Sequence, residues 1–334
     1  MALPVENSQT MTEPVSGLAP WDGATNPGPK SGPPLLTPEQ LEQWHRDGYL
    51  ALDRVTSPED VAGIRATIQN LFQTKAGFNE GAQFNLVGKD DGDPNAPNIS
   101  QIVGPRHYAA QLRKTEFFRN ASALALQLLG PDGRYLGDHT LDKPALVGPA
   151  TPWHQDEAFR NPEFDYNELS VWMPLQAVND LNGCMQFIPG TNHGDILPHR
   201  SFMNDKRIHS LECYEGFDPG SAVVCPLPAG GCTIHSGHTL HSAGPNRSEA
   251  SRYAYVLVFG IPPVPAKKPR SFPWLDGKST GRLERMRGWM RRGGLFIATW
   301  RFFREANFRD LGSVIAKLRM QATTFRKLWR KKKE

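Results

Sequence analysis

The chain of 334 residues is 39% hydrophobic and carries 38 Lys and Arg against 34 Asp and Glu, a net charge of +4, which suits one large domain or two modest ones with an ample core. It contains no run of 18 apolar residues, which excludes a bilayer-spanning helix, and its start lacks the basic-then-apolar pattern of a secretory leader. The four Cys, at 184, 213, 225 and 232, lack the close pairing of a zinc knuckle and are expected to be reduced thiols in a cytoplasmic protein.

Charge is unevenly distributed. Residues 267–334 hold 20 Lys and Arg against five Asp and Glu, so the remainder is net acidic and the basic tail is a separate organisational unit. Residues 1–34, rich in Pro, Gly, Ser, Thr and Asn, cannot offset the entropy of ordering and are expected to be a disordered tail. Thr37 then reads as a helix N-cap before Pro38 and Glu39, opening a short helix through Trp44 that Asp47 and Gly48 end. Residues 49–52 read as a strand. Ser57 caps a longer helix whose Val61, Ile64, Ile68 and Leu71 keep helical spacing. Residues 78–97 are polar and turn-rich, with Asp90, Asp91 and Asp93 completing no calcium-loop pattern, so a solvated loop near a substrate is expected. Residues 115–129 form another apolar helix, closed by Gly130 and Pro131.

From about residue 135 to 261 short β-like runs alternate with Gly and Pro, as in an all-β barrel or double sheet. Within it stands TPWHQD, residues 151–156. If residues 153–157 are extended, the period of two points His154 and Asp156 to one side of a strand, where both can grip one ion. A third ligand must come from elsewhere, and His241 lies in a second β-like region. Two His and one carboxylate on one face of a metal leave the opposite face open, the pattern of non-haem Fe(II) sites. His235 and His238 compete with His241 for this role. Their Gly-rich, β-branched context argues strand and loop, so His241 is taken as the ligand and the other two as pocket or surface residues. Eleven residues beyond His241, Arg252 sits in a strand-like run, where an Arg is costly to bury unless it meets an anion such as a carboxylate. Residues 191–220, with His193, His199 and His209 and no clean periodicity, read as a lid over the barrel mouth.

The blocks LTPEQLEQWHRDGYLALDRVTSPEDVAGIRATI, KPALVGPATPWHQDEAF, LSVWMPLQAVNDLNGCMQFIPGTNHG and LHSAGPNRSEASRYAY occur in that order between about Leu36 and Pro262. Together they resemble the phytanoyl-CoA dioxygenase family of Fe(II)- and 2-oxoglutarate-dependent oxygenases. The resemblance implies a mainly β protein: a double-stranded β-helix, a jelly-roll or cupin-like barrel with flanking α-helices, over residues 35–265. A basic amphipathic helical extension follows over 266–334. It also implies Fe(II) on His154, Asp156 and His241, O2 as oxidant, and Arg252 on the far carboxylate of 2-oxoglutarate. Trp172, Ser242, Gln101 and His139 fall at family positions around that cosubstrate. The family commonly has an acidic and an aromatic residue in the strand before the distal His, where this chain has Gly231, Cys232, Thr233, Ile234 and His235. Halogenating relatives usually carry a small residue at the carboxylate position, so Asp156 points to hydroxylation of an unactivated aliphatic C–H in a small-molecule substrate, with succinate and carbon dioxide released. The same cofactor chemistry giving desaturation or cyclisation, and a non-catalytic ligand-binding barrel, remain as alternatives.

In the tail, Phe308, Leu311, Val314, Ile315, Leu318, Phe325, Leu328 and Trp329 recur at intervals of three and four opposite a basic face. Upstream, Trp289, Met290, Phe296, Trp300 and Phe303 are mixed with Arg. Such helices either lie on an anionic membrane surface or pack on the barrel or a partner subunit. Nucleic acid is the least favoured partner.

Overall fold

The computed structural model describes residues 35–90, 93, 97–294 and 297. The expected N-terminal tail and the apolar stripe of residues 308–329 lie outside them.

Helix α1 (Pro38–Asp47) begins with a reciprocal cap. Thr37 Oγ1 accepts from Gln40 N, and Gln40 Oε1 accepts from Thr37 N. The helix runs one turn past Trp44 because Gly48, at φ 77°, can turn left-handed and donate back to the Trp44 carbonyl. A side chain at Gly48 would also strike Thr239, whose Oγ1 donates to the Gly48 carbonyl at 2.7 Å. The strand β1 (Tyr49–Leu52) and the helix α2 (Pro58–Gln73), capped by Ser57, follow the sequence pattern. Strands β2 (Gln83–Asn85) and β3 (Ser100–Val103) precede α3 (Glu116–Leu129).

The strands that build the site come next: β4 (Arg134–Lys143), β5 (Thr151–His154), β6 (Phe164–Asp165), β7 (Glu168–Pro174) and β8 (Met185–Phe187). After β9 (His199–Ser201) and β10 (Leu211–Cys213) come β11 (Val223–Cys225), β12 (Cys232–Ser236), β13 (His241–Ala243), β14 (Arg252–Gly260), β15 (Val264–Pro265) and finally α4 (Gly281–Trp289). The protein is thus mainly β, and all sheet pairings among the described residues are antiparallel. One sheet has the order β1-β12-β7-β14-β4-β3-β2 and a second the order β11-β8-β13-β5. Along the chain β4, β7, β12 and β14 fall in the first sheet, while β5, β8, β11 and β13 fall in the second. Trp172 and Val256 of the larger sheet pack against Met185 and Phe187 of the smaller one, so the two sheets face each other.

Period-two alternation explains why the large sheet reads as nearly continuous apolar sequence. In β7, Leu169, Val171 and Met173 face outward into a core with Ile64 and Ile68 of α2 and Phe117 and Leu124 of α3. Trp172 faces inward, into a second core with Met185 and Phe187 of the smaller sheet. Strand β14 divides likewise, Tyr255, Leu257 and Phe259 outward and Ala254 and Val256 inward. Each large side chain buried this way contributes about 1.5–3 kcal/mol, so the helical cover fixes which parity of each strand faces the site.

Two expected loops and the first part of the expected basic extension carry more structure than their composition suggests. In residues 78–97, Phe84 and Val87 are fully buried, and Asp90 is held by Arg285 Nη2 at 2.5 Å instead of facing solvent. Residues 191–220 contain the β9–β10 hairpin, in which His199 is buried and its Nε2 accepts from Gln155 N at 3.2 Å. Just before the expected extension β15 pairs with β6, and within the extension Arg270 Nη1 reaches the buried Glu157 at 2.6 Å. A buried carboxylate needs such a cation, and neither partner was identifiable from local pattern. All four Cys are buried and free. No helix among the described residues is long and apolar enough to cross a membrane.

Candidate functional site

Strand β5 ends at His154, and Gln155 remains extended, but Asp156 opens a short 3-10 turn reaching Phe159. The expected strand over 153–157 thus stops early. Gln155 is wholly buried, its amide tied to Leu197 N and the His238 carbonyl, and this anchor keeps its two neighbours on the opposite side. The third residue arrives by register: His241, first in β13, pairs directly with His154 across the ladder.

The ligand atoms of His154, Asp156 and His241 all lie within 4.8 Å of one another, close enough to hold one metal ion. Asp156 Oδ1 is 3.8 Å from Nε2 of each His. His154 Nδ1 donates to the Pro152 carbonyl at 2.7 Å and His241 Nδ1 to the Thr239 carbonyl at 2.8 Å. With the protons committed there, each Nε2 presents its lone pair to the common centre. Burial lowers the pKa of His154, although Asp156 pulls the other way. Burial lowers that of His241 well below the usual imidazole range, helped by His154 and His235. Burial pushes the Asp156 carboxyl upward, but the neighbouring His235, His241 and His154 outweigh it and hold it well below the usual range. Neutral imidazoles beside an ionised carboxylate are the protonation states a divalent cation requires.

The triad opens on a cavity of about 1250 Å³ that Gln101, His139, Trp172, Ser242 and Arg252 also line. Arg252, first in β14, is 2% exposed, and its guanidinium lies 5.4 Å from the Trp172 ring. Its Nε and Nη1 are buried without a hydrogen-bond partner. Burial draws its pKa down to about 10 against a weaker opposing pull from Asp142. A buried cation with two unused donors has the chemistry to receive a carboxylate. Trp172 lies between Thr233 and Val256 in the sheet. Ser242 neighbours His241, but its Oγ donates to the Thr151 carbonyl at 2.8 Å, leaving it an acceptor. Gln101 enters from β3, and His139 from β4 opposite Val256, its pKa pulled by burial to about 4.

Two further residues stand at the centre: Ser170, which was not singled out from sequence, and His235, expected as a pocket or surface residue. Ser170 Oγ donates to Asp156 Oδ2 at 2.8 Å, and His235 Nε2 lies 3.6 Å from the same oxygen. They are direct partners in the β12–β7 ladder. Ser170 shares the inward parity of Trp172, a usable signal, but the pairing with His235 depends on a register that no local motif encodes. His238 points away, its Nε2 at 2.7 Å from Glu157.

The model of the phytanoyl-CoA dioxygenase (PhyH) family matches residues 44–254, well over half of the chain. The chain belongs to this family. It is a 2-oxoglutarate-dependent non-haem iron dioxygenase, with Fe(II), 2-oxoglutarate and O2 as its metal, cosubstrate and oxidant. The phytanoyl-CoA dioxygenase domain-containing protein 1 of Danio rerio is 23% identical over 266 residues, 67% of this chain and 89% of the relative. The peroxisomal phytanoyl-CoA dioxygenase of Mus musculus is 26% identical over 280 residues, 75% of this chain and 76% of the relative. Among solved structures, EvdO2 from Micromonospora carbonacea var. aurantiaca, crystallised with 2-oxoglutarate, is 30% identical with a TM-score of 0.62, covering 73% of this chain and 99% of that one. In this dioxygenase the triad, the unpaired Arg252 and the Trp172 wall all fall inside the matched residues.

Proposed function

We propose that His154 Nε2, Asp156 Oδ1 and His241 Nε2 hold Fe(II), that Arg252 receives the far carboxylate of 2-oxoglutarate, and that the enzyme hydroxylates an unactivated aliphatic C–H of a small molecule. The observation carrying this reading is the pair of unpartnered N–H donors on the buried Arg252, lining the same cavity as the triad. The alternating strands of the two sheets are read as a double-stranded β-helix.

Iron and 2-oxoglutarate, when bound, supply the oxygen-activating chemistry, with succinate and carbon dioxide as coproducts. The chain's own residues position and shield. Ser170 occupies Oδ2 of Asp156, which leaves Oδ1 directed at the two imidazoles. Trp172 closes the wall beside Arg252 and excludes water from that ion pair, where a low dielectric strengthens it. Gln101, His139 and Ser242 are assigned to the cosubstrate end, Ser242 as an acceptor while its proton serves Thr151. The cavity exceeds what 2-oxoglutarate fills, and the remaining space is assigned to the substrate.

Oxygen-dependent succinate formation by the iron-loaded chain tests the assignment; its absence with every substrate tried, together with no binding of 2-oxoglutarate, counts against it. A product heavier by one oxygen distinguishes hydroxylation from desaturation or cyclisation, which remove two hydrogens. A cytoplasmic location with peripheral membrane contact or self-association through the basic tail is also proposed, on the composition of residues 301–334. Liposome co-sedimentation unchanged by truncation at residue 300 would remove the membrane part.

A further inference from the structure

The wall of the cavity away from Arg252 comes from a part of the chain that the family match does not reach. The match ends at residue 254, yet Arg282, Met286, Trp289 and Met290 line the same cavity as the triad. The segment carrying them is fixed to the body at several points. Arg270 pairs with Glu157, Trp274 Nε1 donates to the Ala158 carbonyl at 2.8 Å, Lys278 Nζ donates to the Ile208 carbonyl at 2.7 Å, and Arg285 pairs with Asp90. Gly81, at φ 74°, admits the close approach of α4, since a Cβ there would stand 2.6 Å from the Arg282 carbonyl. Arg282, Met286 and Trp289 are spaced i, i+4 and i+7, one face of α4.

Charges along this wall are unequally matched. Glu80 accepts from Tyr108 OH at 2.8 Å, Glu168 pairs with Arg160 at 2.5 Å, and Asp138 accepts from Tyr135 and Tyr255. Arg282 has no carboxylate partner among the described residues. Its Nε donates to the Gly81 carbonyl at 3.0 Å, its Nη1 lies 3.4 Å from His209 Nε2, and its guanidinium sits 4.4 Å from the Phe84 ring. Burial, reinforced by Arg285, lowers its pKa to about 10. A continuous run of side chains leads from it to the triad: His209 stacks on Phe159 at 6.0 Å, and Phe159 meets His154 edge-on at 5.9 Å.

We propose that Arg282 is the docking group for an oxyanion of the substrate, carboxylate or phosphate, and that Met286 and Trp289 hold the apolar body attached to it. This rests on the proposed catalytic site and assigns its substrate class: an acidic molecule with an apolar portion, oriented by its charge so that a carbon reaches the triad. A charge-assisted contact in a partly desolvated wall gives roughly a tenfold or greater gain in affinity.

Calorimetric titration of the full chain, loaded with Mn(II) and 2-oxoglutarate, with hexyl phosphate, hexanoate and hexanol tests it. The expected result is that one or both anions bind about tenfold or more tightly than hexanol, and the stronger of the two identifies the oxyanion. Arg282→Gln should abolish that preference, and Arg282→Lys should retain part of it, which separates loss of charge from loss of α4 packing. Anions binding no better than hexanol, none of the three binding, or a preference intact in Arg282→Gln would each overturn the proposal. The catalytic reading is scored separately, by whether the unsubstituted chain binds 2-oxoglutarate and Arg252→Gln loses it.

Discussion

The two ends of the cavity are built by different means. At the inner end every singled-out side chain lies in or next to a strand: His154 closes β5, His241 opens β13 and Arg252 opens β14, and ladder pairings fix their directions. At the outer end Phe159, His209, Arg282 and Trp289 come from a 3-10 turn, a hairpin and the helix α4, held by ion pairs and carbonyl hydrogen bonds. The triad and Arg252 lie inside the residues that the family model matches, whereas Arg282 and Trp289 lie beyond them. Substitutions should therefore separate the two: inner ones should affect the metal and cosubstrate, outer ones the substrate.

The largest effect is expected from His154→Ala, Asp156→Ala or His241→Ala, each reducing oxygen-dependent succinate formation to the level of metal-free protein, because the three act as one unit. Residual activity above that level in any of them would break the comparison at its inner end. Arg252→Gln comes next, weakening 2-oxoglutarate about 10–100-fold with metal affinity retained. Because the Arg252 donors are unpartnered, the cosubstrate-free variant should melt no lower than the parent while losing its thermal shift with 2-oxoglutarate. Ser170→Ala should cost about tenfold in metal affinity by releasing Asp156 Oδ2, measured by competition with a chelator.

The smallest effect on the reaction is expected at the β9–β10 hairpin, which backs the strand carrying His154. Burial lowers the His199 pKa to about 4, and its Nε2 accepts from Gln155 N, so protonation breaks that bond. The unfolded chain takes up this proton near pH 6.5 and the folded chain only near 4, so the stability contribution is complete above about 6.5 and lost as pH falls toward 4. Chemical denaturation of His199→Gln across this range should show a shallower acid loss than the parent, by on the order of 1–3 kcal/mol. Parallel curves would mean that the β9–β10 hairpin is not tied to the strand carrying His154.

The same division governs what the sequence reveals. The His154 to Asp156 spacing, His241, Arg252 and the helix caps at Thr37 and Ser57 are legible because each depends on a local period or residue type. The strand order of the two sheets was not legible, since short β runs do not state their neighbours. His235 was discounted as a ligand, and its place opposite Ser170 requires a non-local register. Asp90 read as solvated because its partner, Arg285, is nearly two hundred residues away. Composition likewise set the basic tail apart, although Arg270 and Arg285 are spent on body carboxylates and Lys278 on body carbonyls.

Anaerobic addition of 2-oxoglutarate to the Fe(II)-loaded full chain, followed by the visible charge-transfer absorption of the chelate, tests the central assignment most directly. One cosubstrate per iron is predicted, with the absorption abolished in Asp156→Ala and His241→Ala and shifted to higher 2-oxoglutarate concentration in Arg252→Gln. An unchanged titration in His241→Ala would contradict it.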